Sequence, residues 1–167
     1  MSSGSRLGIG GRTPPKDSPS RSSIIFLITA YRLPRQAHIA SVSAFTECWM
    51  GAAAAKFAME RCIAKAKETG CCFASVHSSN HFGTAAYYTR LAAAQDMIGC
   101  ACTNLKGKIA PFGSAEPYMG TNPISVAAPS DDLPVVLDMA PSVVALGKLI
   151  LAQKLGKSIP EGWALDK

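Results

Sequence analysis

Ser78-Ser79-Asn80-His81-Phe82-Gly83 is the stretch on which the reading of this chain turns. Residues 71–77 before it (Cys-Cys-Phe-Ala-Ser-Val-His) are short, β-leaning and mostly apolar, and from Thr84 onward the sequence is alanine-rich and helical. The hexapeptide is therefore a polar hinge between a strand and a helix, with a glycine two residues after its histidine. A histidine at such a turn has one face toward open space. Because histidine ordinarily titrates near neutral pH, it can give or take a proton there. The plainer alternative is that His81 caps the helix or fills a polar corner.

Working outward, residues 52–68 predict a helix. Ala55, Met59, Cys62 and Ala66 share one face of it, with Lys56, Glu60 and Lys67 opposite, and Gly70 stops it. A second helix is expected from Thr84 to Met97, with Tyr87, Leu91 and Ala94 on its buried side, and Ile98 to Thr103 reads as another strand. Strand, helix and strand in succession imply an α/β unit with a right-handed parallel crossover. Asn104 to Pro123 holds three glycines and three prolines and is expected to be a long ordered loop, often the functional kind. Ile124–Ala128 and Val135–Asp138 look strand-like, and Val143–Leu155 looks helical. Residues 159–166 read as an extended tail anchored by a buried Trp163.

The 167 residues suffice for one domain, and with 48% apolar and 17% charged residues the chain can bury a core. The net charge of +6 is uneven. Residues 1–50 hold six Lys/Arg against two Asp/Glu, and the remainder holds eleven against nine. Basicity thus belongs to the N-terminal segment, which argues against a nucleic-acid footprint on the folded part. Residues 1–23 are rich in Ser, Gly, Pro and Arg and are expected to be flexible. Gly8-Ile9-Gly10-Gly11 is no dinucleotide fingerprint, because no strand precedes it and Pro14-Pro15 follows. Ile24–Ala30 is an apolar run fit for a strand or a very short signal core, whereas residues 31–50 show no clear periodicity. None of the six cysteines forms a Cys-x-x-Cys pair, so no metal site is expected. Reduced, strand-buried cysteines and the lack of a membrane-length apolar run suggest a cytoplasmic protein. The Arg/Ser-rich start leaves a mitochondrial address open.

A series of motifs then stands in order along the chain: Ser79-Asn80-His81-Phe82-Gly83, Ala86-Tyr87-Tyr88, Met97-Ile98-Gly99, Thr103-Asn104, Pro111-Phe112-Gly113, Gly120-Thr121-Asn122-Pro123-Ile124, Leu137-Asp138-Met139-Ala140, Gly147-Lys148, and the run from Ile159 to Asp166. In order and spacing the series resembles the malate/L-lactate dehydrogenase family, which also includes ureidoglycolate and sulfolactate dehydrogenases. The resemblance covers residues 51–167. It implies an α/β, non-Rossmann NAD(P)-binding fold, here incomplete and preceded by a flexible basic segment over 1–50. It also implies a homodimer that interconverts a 2-hydroxy acid and its 2-keto acid with NAD or NADP. His81 takes the place of the general acid/base. Asp138, Met139, Ala140, Pro141 and Ser142 match the family segment lining the dinucleotide, and Thr103, Asn104, Thr121 and Asn122 stand where the rest of that pocket forms. Read from the residues alone, Asp138 is equally a helix N-cap and Thr121-Asn122 a turn before Pro123. Lys148 reads as a solvated helix residue. Neither a nucleic acid nor a membrane is an expected partner.

The chain also departs from the family pattern. No Ser-His-Gly motif precedes the matched region, and His38 in Gln36-Ala37-His38-Ile39 does not replace it. The sequence ends at Lys167, before the family's later Gly- and Lys-containing stretch. Leu105 stands where serine is frequent, and Pro141 interrupts Asp-Met-Ala-Ser, removing a backbone donor. The expectation is therefore a weak catalyst at best. The rival is a truncated, inactive remnant acting as an oligomerisation or regulatory module.

Overall fold

The computed structural model describes residues 22–30, 38–45 and 50–165. Of the N-terminal 1–50 expected to be flexible or poorly packed, residues 1–21 lie outside the described residues, as do Cys48 and Asp166, whereas residues 22–30 and 38–45 form strands. The strands are β1 (Ser22–Ala30), β2 (His38–Phe45), β3 (Gly70–Ser79), β4 (Met97–Thr103), β5 (Ile124–Ala128) and β6 (Val135–Met139). The helices are α1 (Gly51–Thr69), α2 (Ala85–Ala93) and α3 (Leu146–Lys154). All six strands form one mixed sheet in the order β2-β3-β1-β4-β5-β6.

The α/β reading needs one correction. β3 and β4 run in the same direction, but they are not neighbours: β1 lies between them, antiparallel to both. Its sequence, Ser-Ser-Ile-Ile-Phe-Leu-Ile-Thr-Ala, has the continuous β-branched and aromatic character of an interior strand. The adjacent parallel pair is β2 and β3, joined through α1. Two strands of the sheet thus come from residues ahead of Gly51.

Both principal helices lie on one face of this sheet, and small residues bring them close. Alanine has the highest helix propensity, and four of them open α1. Ala54, Ala55, Ala58, Met59, Cys62 and Ala66 form its buried stripe, as the 3.6-residue period predicts. α1 ends where Gly70 turns left-handed (φ 85°) and its N–H returns to the carbonyl of Ala66. Cys72, Ala74 and Val76 of β3, with Met97 and Ala101 of β4, complete the same core.

For α2 the expected face is off by one residue. Tyr88, Thr89, Ala92 and Ala93 are buried, whereas Tyr87 and Ala94 are exposed and Leu91 is half-buried. The helix also ends at Ala93 rather than Met97, since Asp96 takes a left-handed turn (φ 55°) into β4. Tyr88 wins the inner position because its hydroxyl donates to the Phe82 carbonyl while its ring stacks on Phe82. The sheet's opposite face presents Ile98, Ile124, Leu137 and Met139, all partly exposed. α3 has no buried residue.

Candidate active site

The hinge residues Asn80–Thr84 are clamped from both sides. On one side Gly51, the buried first residue of α1, lies so close to the hinge backbone that a Cβ there would stand 2.3 Å from the Asn80 carbonyl oxygen and 2.6 Å from that of His81. Only glycine permits that approach. On the other side Tyr88 holds the Phe82 carbonyl from within the core. Burial, and secondarily the nearby Tyr87, push the Tyr88 hydroxyl's pKa up, so it remains a donor. Gly83 takes a left-handed conformation (φ 85°) with open space around it.

Between these fixings the His81 side chain is exposed, and its Nδ1 accepts a 3.1 Å hydrogen bond from the Gly83 N–H. An acceptor at Nδ1 places the neutral ring's proton on Nε2. Just before the hinge, the buried Ser79 hydroxyl has no hydrogen-bond partner among the described residues.

α2 begins three residues after Phe82. Its N-cap residue Thr84 makes no side-chain cap bond. The function passes to Asp138 on β6, whose Oδ2 accepts from the Ala86 N–H at 3.0 Å. Asp138 is thus a helix cap, as one reading of the sequence allowed, but for α2 rather than α3. Its strand is held in place by a buried hydroxyl chain. Thr89 on α2 meets Ser125 on β5 at 2.9 Å, and Ser125 donates to the Leu137 carbonyl on β6 at 2.8 Å.

The loop between β4 and β5 has a tight neck that unites four of the residues singled out from the sequence. The Thr103 N–H donates to the Pro123 carbonyl (3.3 Å), and the Leu105 N–H donates to Asn122 Oδ1 (3.0 Å). Asn122 itself is left-handed (φ 33°). Gly120 packs against Leu105 so closely that a Cβ would stand 2.2 Å from its carbonyl oxygen. Thr103 is buried, Thr121 half-buried and Asn104 exposed. Beyond the neck, a bridge between Ile109 and Met119 folds the loop back on itself.

The far side of this loop faces the segment after β6 across an apolar cleft of about 750 Å³. Ile109, Phe112, Val143, Leu149 and Trp163 form much of its wall, and Ser114, Thr121 and Ser142 add hydroxyls. Among the described residues Lys108 is the one charged residue of the lining. Lys148 of α3 lies over the Trp163 ring, 6.0 Å from its centre. Trp163 is half-buried rather than buried, and residues 161–164 turn rather than extend.

Of the residues read as cofactor-binding, Thr121 and Ser142 line this cleft. Thr103, Asn104 and Asn122 belong to the neck beside it. Asp138 reaches α2, and Met139, Ala140 and Pro141 run between Asp138 and Ser142. His81 lies outside the cleft lining. Phe112 and Trp163 stood within the quoted motifs without a site role, and their large aromatic surface beside glycines was the available signal. Gly51 was missed altogether, although a glycine opening an otherwise alanine-rich helix invites an explanation. Burial pushes the Cys62, Cys100 and Cys102 thiols up and keeps them protonated, so none of these three is an activated nucleophile.

A mixed sheet with α1 and α2 on one face, a histidine hinge after an inner strand and a cleft built from loops define an α/β domain unlike the doubly wound dinucleotide folds. The sequence profile of the malate/L-lactate dehydrogenase family matches residues 36–167, and the chain belongs to that family. It is 49% identical over 109 residues to a malate dehydrogenase of Pyrococcus horikoshii, covering 65% of this chain and 30% of that protein. It is 38% identical over 118 residues to an Escherichia coli ureidoglycolate dehydrogenase (NAD(+)), covering 70% and 34%. The solved sulfolactate dehydrogenase of Methanocaldococcus jannaschii superposes with a TM-score of 0.66 at 38% identity, over 81% of this chain and 38% of that one. The chain therefore spans about a third of the length of the relatives it matches.

Proposed function

We propose that this chain carries part of an NAD(P)-dependent oxidoreductase site that interconverts a 2-hydroxy acid and its 2-keto acid, with His81 as the proton-handling group. One observation carries the reading: the segment from Asp138 to Ser142 physically joins the histidine hinge to the cleft. Asp138 holds the start of α2, and four residues later Ser142 lines the cleft. Four residues of extended chain span at most about 14 Å, so the two features belong to one neighbourhood.

The cleft suits a nicotinamide dinucleotide, NAD or NADP. Trp163 and Phe112 offer ring surface, Thr121, Ser142 and Ser114 offer hydroxyls, and Lys108 offers a positive charge that suits an anionic pyrophosphate. When bound, the cofactor exchanges a hydride with the substrate's second carbon. The remaining task falls to His81. With Nδ1 engaged by Gly83, the neutral ring presents Nε2–H, the form that donates a hydrogen bond to a keto oxygen. To take a proton from a hydroxyl, Nε2 must instead offer a lone pair. That moves the ring proton to Nδ1 and releases the Gly83 contact. Protonating the keto oxygen in the reverse direction calls for the imidazolium, which also carries a proton on Nδ1, so the Gly83 contact is released in either direction of turnover.

Assembly as a homodimer, implied by the family resemblance, and a cytoplasmic location belong to the same proposal. Among the described residues no helix is long and apolar enough to cross a membrane. The decisive comparison is between the chain and its His81→Ala variant with malate, lactate and sulfolactate as substrates. The reading predicts measurable nicotinamide reduction that the variant loses while remaining folded. Equal turnover by both would remove His81 from the chemistry. No turnover by either, with no cofactor bound, would favour the remnant.

A further inference from the structure

We infer that Asp138 is a positioning residue for His81, acting through α2 rather than on the cofactor; the inference rests on the oxidoreductase reading above. Asp138 stands at the C-terminal end of β6, and its Oδ2 crosses to the Ala86 N–H. That amide belongs to the first turn of α2, whose donors have no partners within the helix. The turn's own candidate cap, Thr84, leaves it uncapped, and no acidic residue occurs in the turn itself. Asp138 is therefore the carboxylate that faces the positive end of this helix.

The hinge depends on that end. Gly83, whose N–H fixes the His81 ring at Nδ1, lies three residues before Ala86, with only Thr84 and Ala85 between them. Gly83 is a left-handed glycine at which an added Cβ would meet no neighbouring atom within 4 Å. Its orientation is set by its flanks: Phe82 held by Tyr88 upstream, and the capped first turn of α2 downstream. Removing the Asp138 carboxylate frees the downstream flank alone. The first turn frays, the Gly83 N–H swings, and His81 loses the contact that selects the Nε2–H form.

The test compares wild type, Asp138→Ala and Asp138→Asn, each as the full chain, with far-UV circular dichroism to confirm folding. The readouts are the ¹⁵N resonances of the His81 ring, the Gly83 and Ala86 amide resonances, and titration with NADH and NADPH. In Asp138→Ala, the Gly83 and Ala86 amides are expected to shift and the His81 nitrogens to move toward averaged tautomers, with NADH affinity within about twofold of wild type. Asp138→Asn keeps an acceptor oxygen and is expected to restore the His81 pattern. Unchanged His81 and Gly83 resonances in Asp138→Ala would overturn the inference. So would a loss of NADH affinity of about tenfold or more in both variants with the hinge unmoved, because Asp138 would then contact the cofactor directly. If wild type binds neither cofactor while the hinge responds as described, the oxidoreductase reading fails and the positioning role stands.

Discussion

Gly51→Ala should destabilise this protein, although helix propensity argues the other way. In an open helix the added methyl stabilises by up to about 1 kcal/mol, and by less at a first helical residue. Here the new Cβ would stand 2.3 Å from the Asn80 carbonyl oxygen, 2.6 Å from that of His81 and 2.8 Å from the Asn80 carbonyl carbon. Relief needs a displacement on the order of 1 Å, and the atoms in the way are backbone rather than a flexible side-chain end. Overpacking of this kind costs about 1–3 kcal/mol. The net expectation is a loss of about 1–2 kcal/mol, and at ordinary denaturant sensitivity the urea midpoint falls by roughly 0.5–1 M. The exposed Ala53→Gly serves as the control, losing only the propensity difference of about 1 kcal/mol or less. The His81 and Gly83 amide resonances should move in Gly51→Ala and stay in place in Ala53→Gly. A Gly51→Ala protein that unfolds at the wild-type urea concentration or above, with the hinge resonances unmoved, would refute the claim that α1 fixes the hinge.

Three further outcomes follow from the same contacts. Tyr88→Phe removes the donor to the Phe82 carbonyl inside the core and should lower stability by about 1–3 kcal/mol in urea unfolding. Ser125→Ala breaks the link from Thr89 to the Leu137 carbonyl and should cost about 1–2 kcal/mol, with amide exchange rising at the β5–β6 pair. The third concerns pH. The Cys62, Cys100 and Cys102 thiols are raised from 9.0, chiefly by burial, so the folded chain keeps protons that the unfolded chain releases. Their contribution is intact below pH 9.0 and declines as pH rises above it, so the urea midpoint should fall between pH 9 and pH 10 while remaining flat on this account from pH 7 to 8.5. A midpoint that rises in that alkaline window would contradict the burial of these thiols.

What could be read from the sequence followed from periodicity and local chemistry. The buried stripe Ala55, Met59, Cys62, Ala66 and the stop at Gly70 needed only the helical repeat and a left-handed glycine. The hinge was legible because a β-leaning run meets an alanine-rich one across His81 and Gly83. The sheet order was not, because β1 reaches the middle of the sheet through long-range pairing that its own apolar run does not encode. The burial of Tyr88 in place of Tyr87 was settled by a hydrogen bond to Phe82, and both tyrosines suit an amphipathic helix equally well. The resemblance singled out Asp138 and Ser142 as one segment but was silent on what each touches. That Asp138 reaches Ala86, 52 residues away, emerges only from the packing of β6 beside α2.

The central claim is that the loop from 107 to 121 and the segment from 142 to 165 hold a nicotinamide dinucleotide beside the histidine hinge. Trp163 lies in that cleft, and the chain's other tryptophan, Trp49, can be replaced by phenylalanine to leave a single reporter. The most direct measurement is a titration of the Trp49→Phe protein with NADH and with NADPH, exciting tryptophan and following both its quenching and the nicotinamide emission. The account predicts saturable quenching of Trp163 with matching nicotinamide emission for at least one of the two cofactors. No saturable change up to millimolar cofactor, in a protein that circular dichroism shows to be folded, would contradict it.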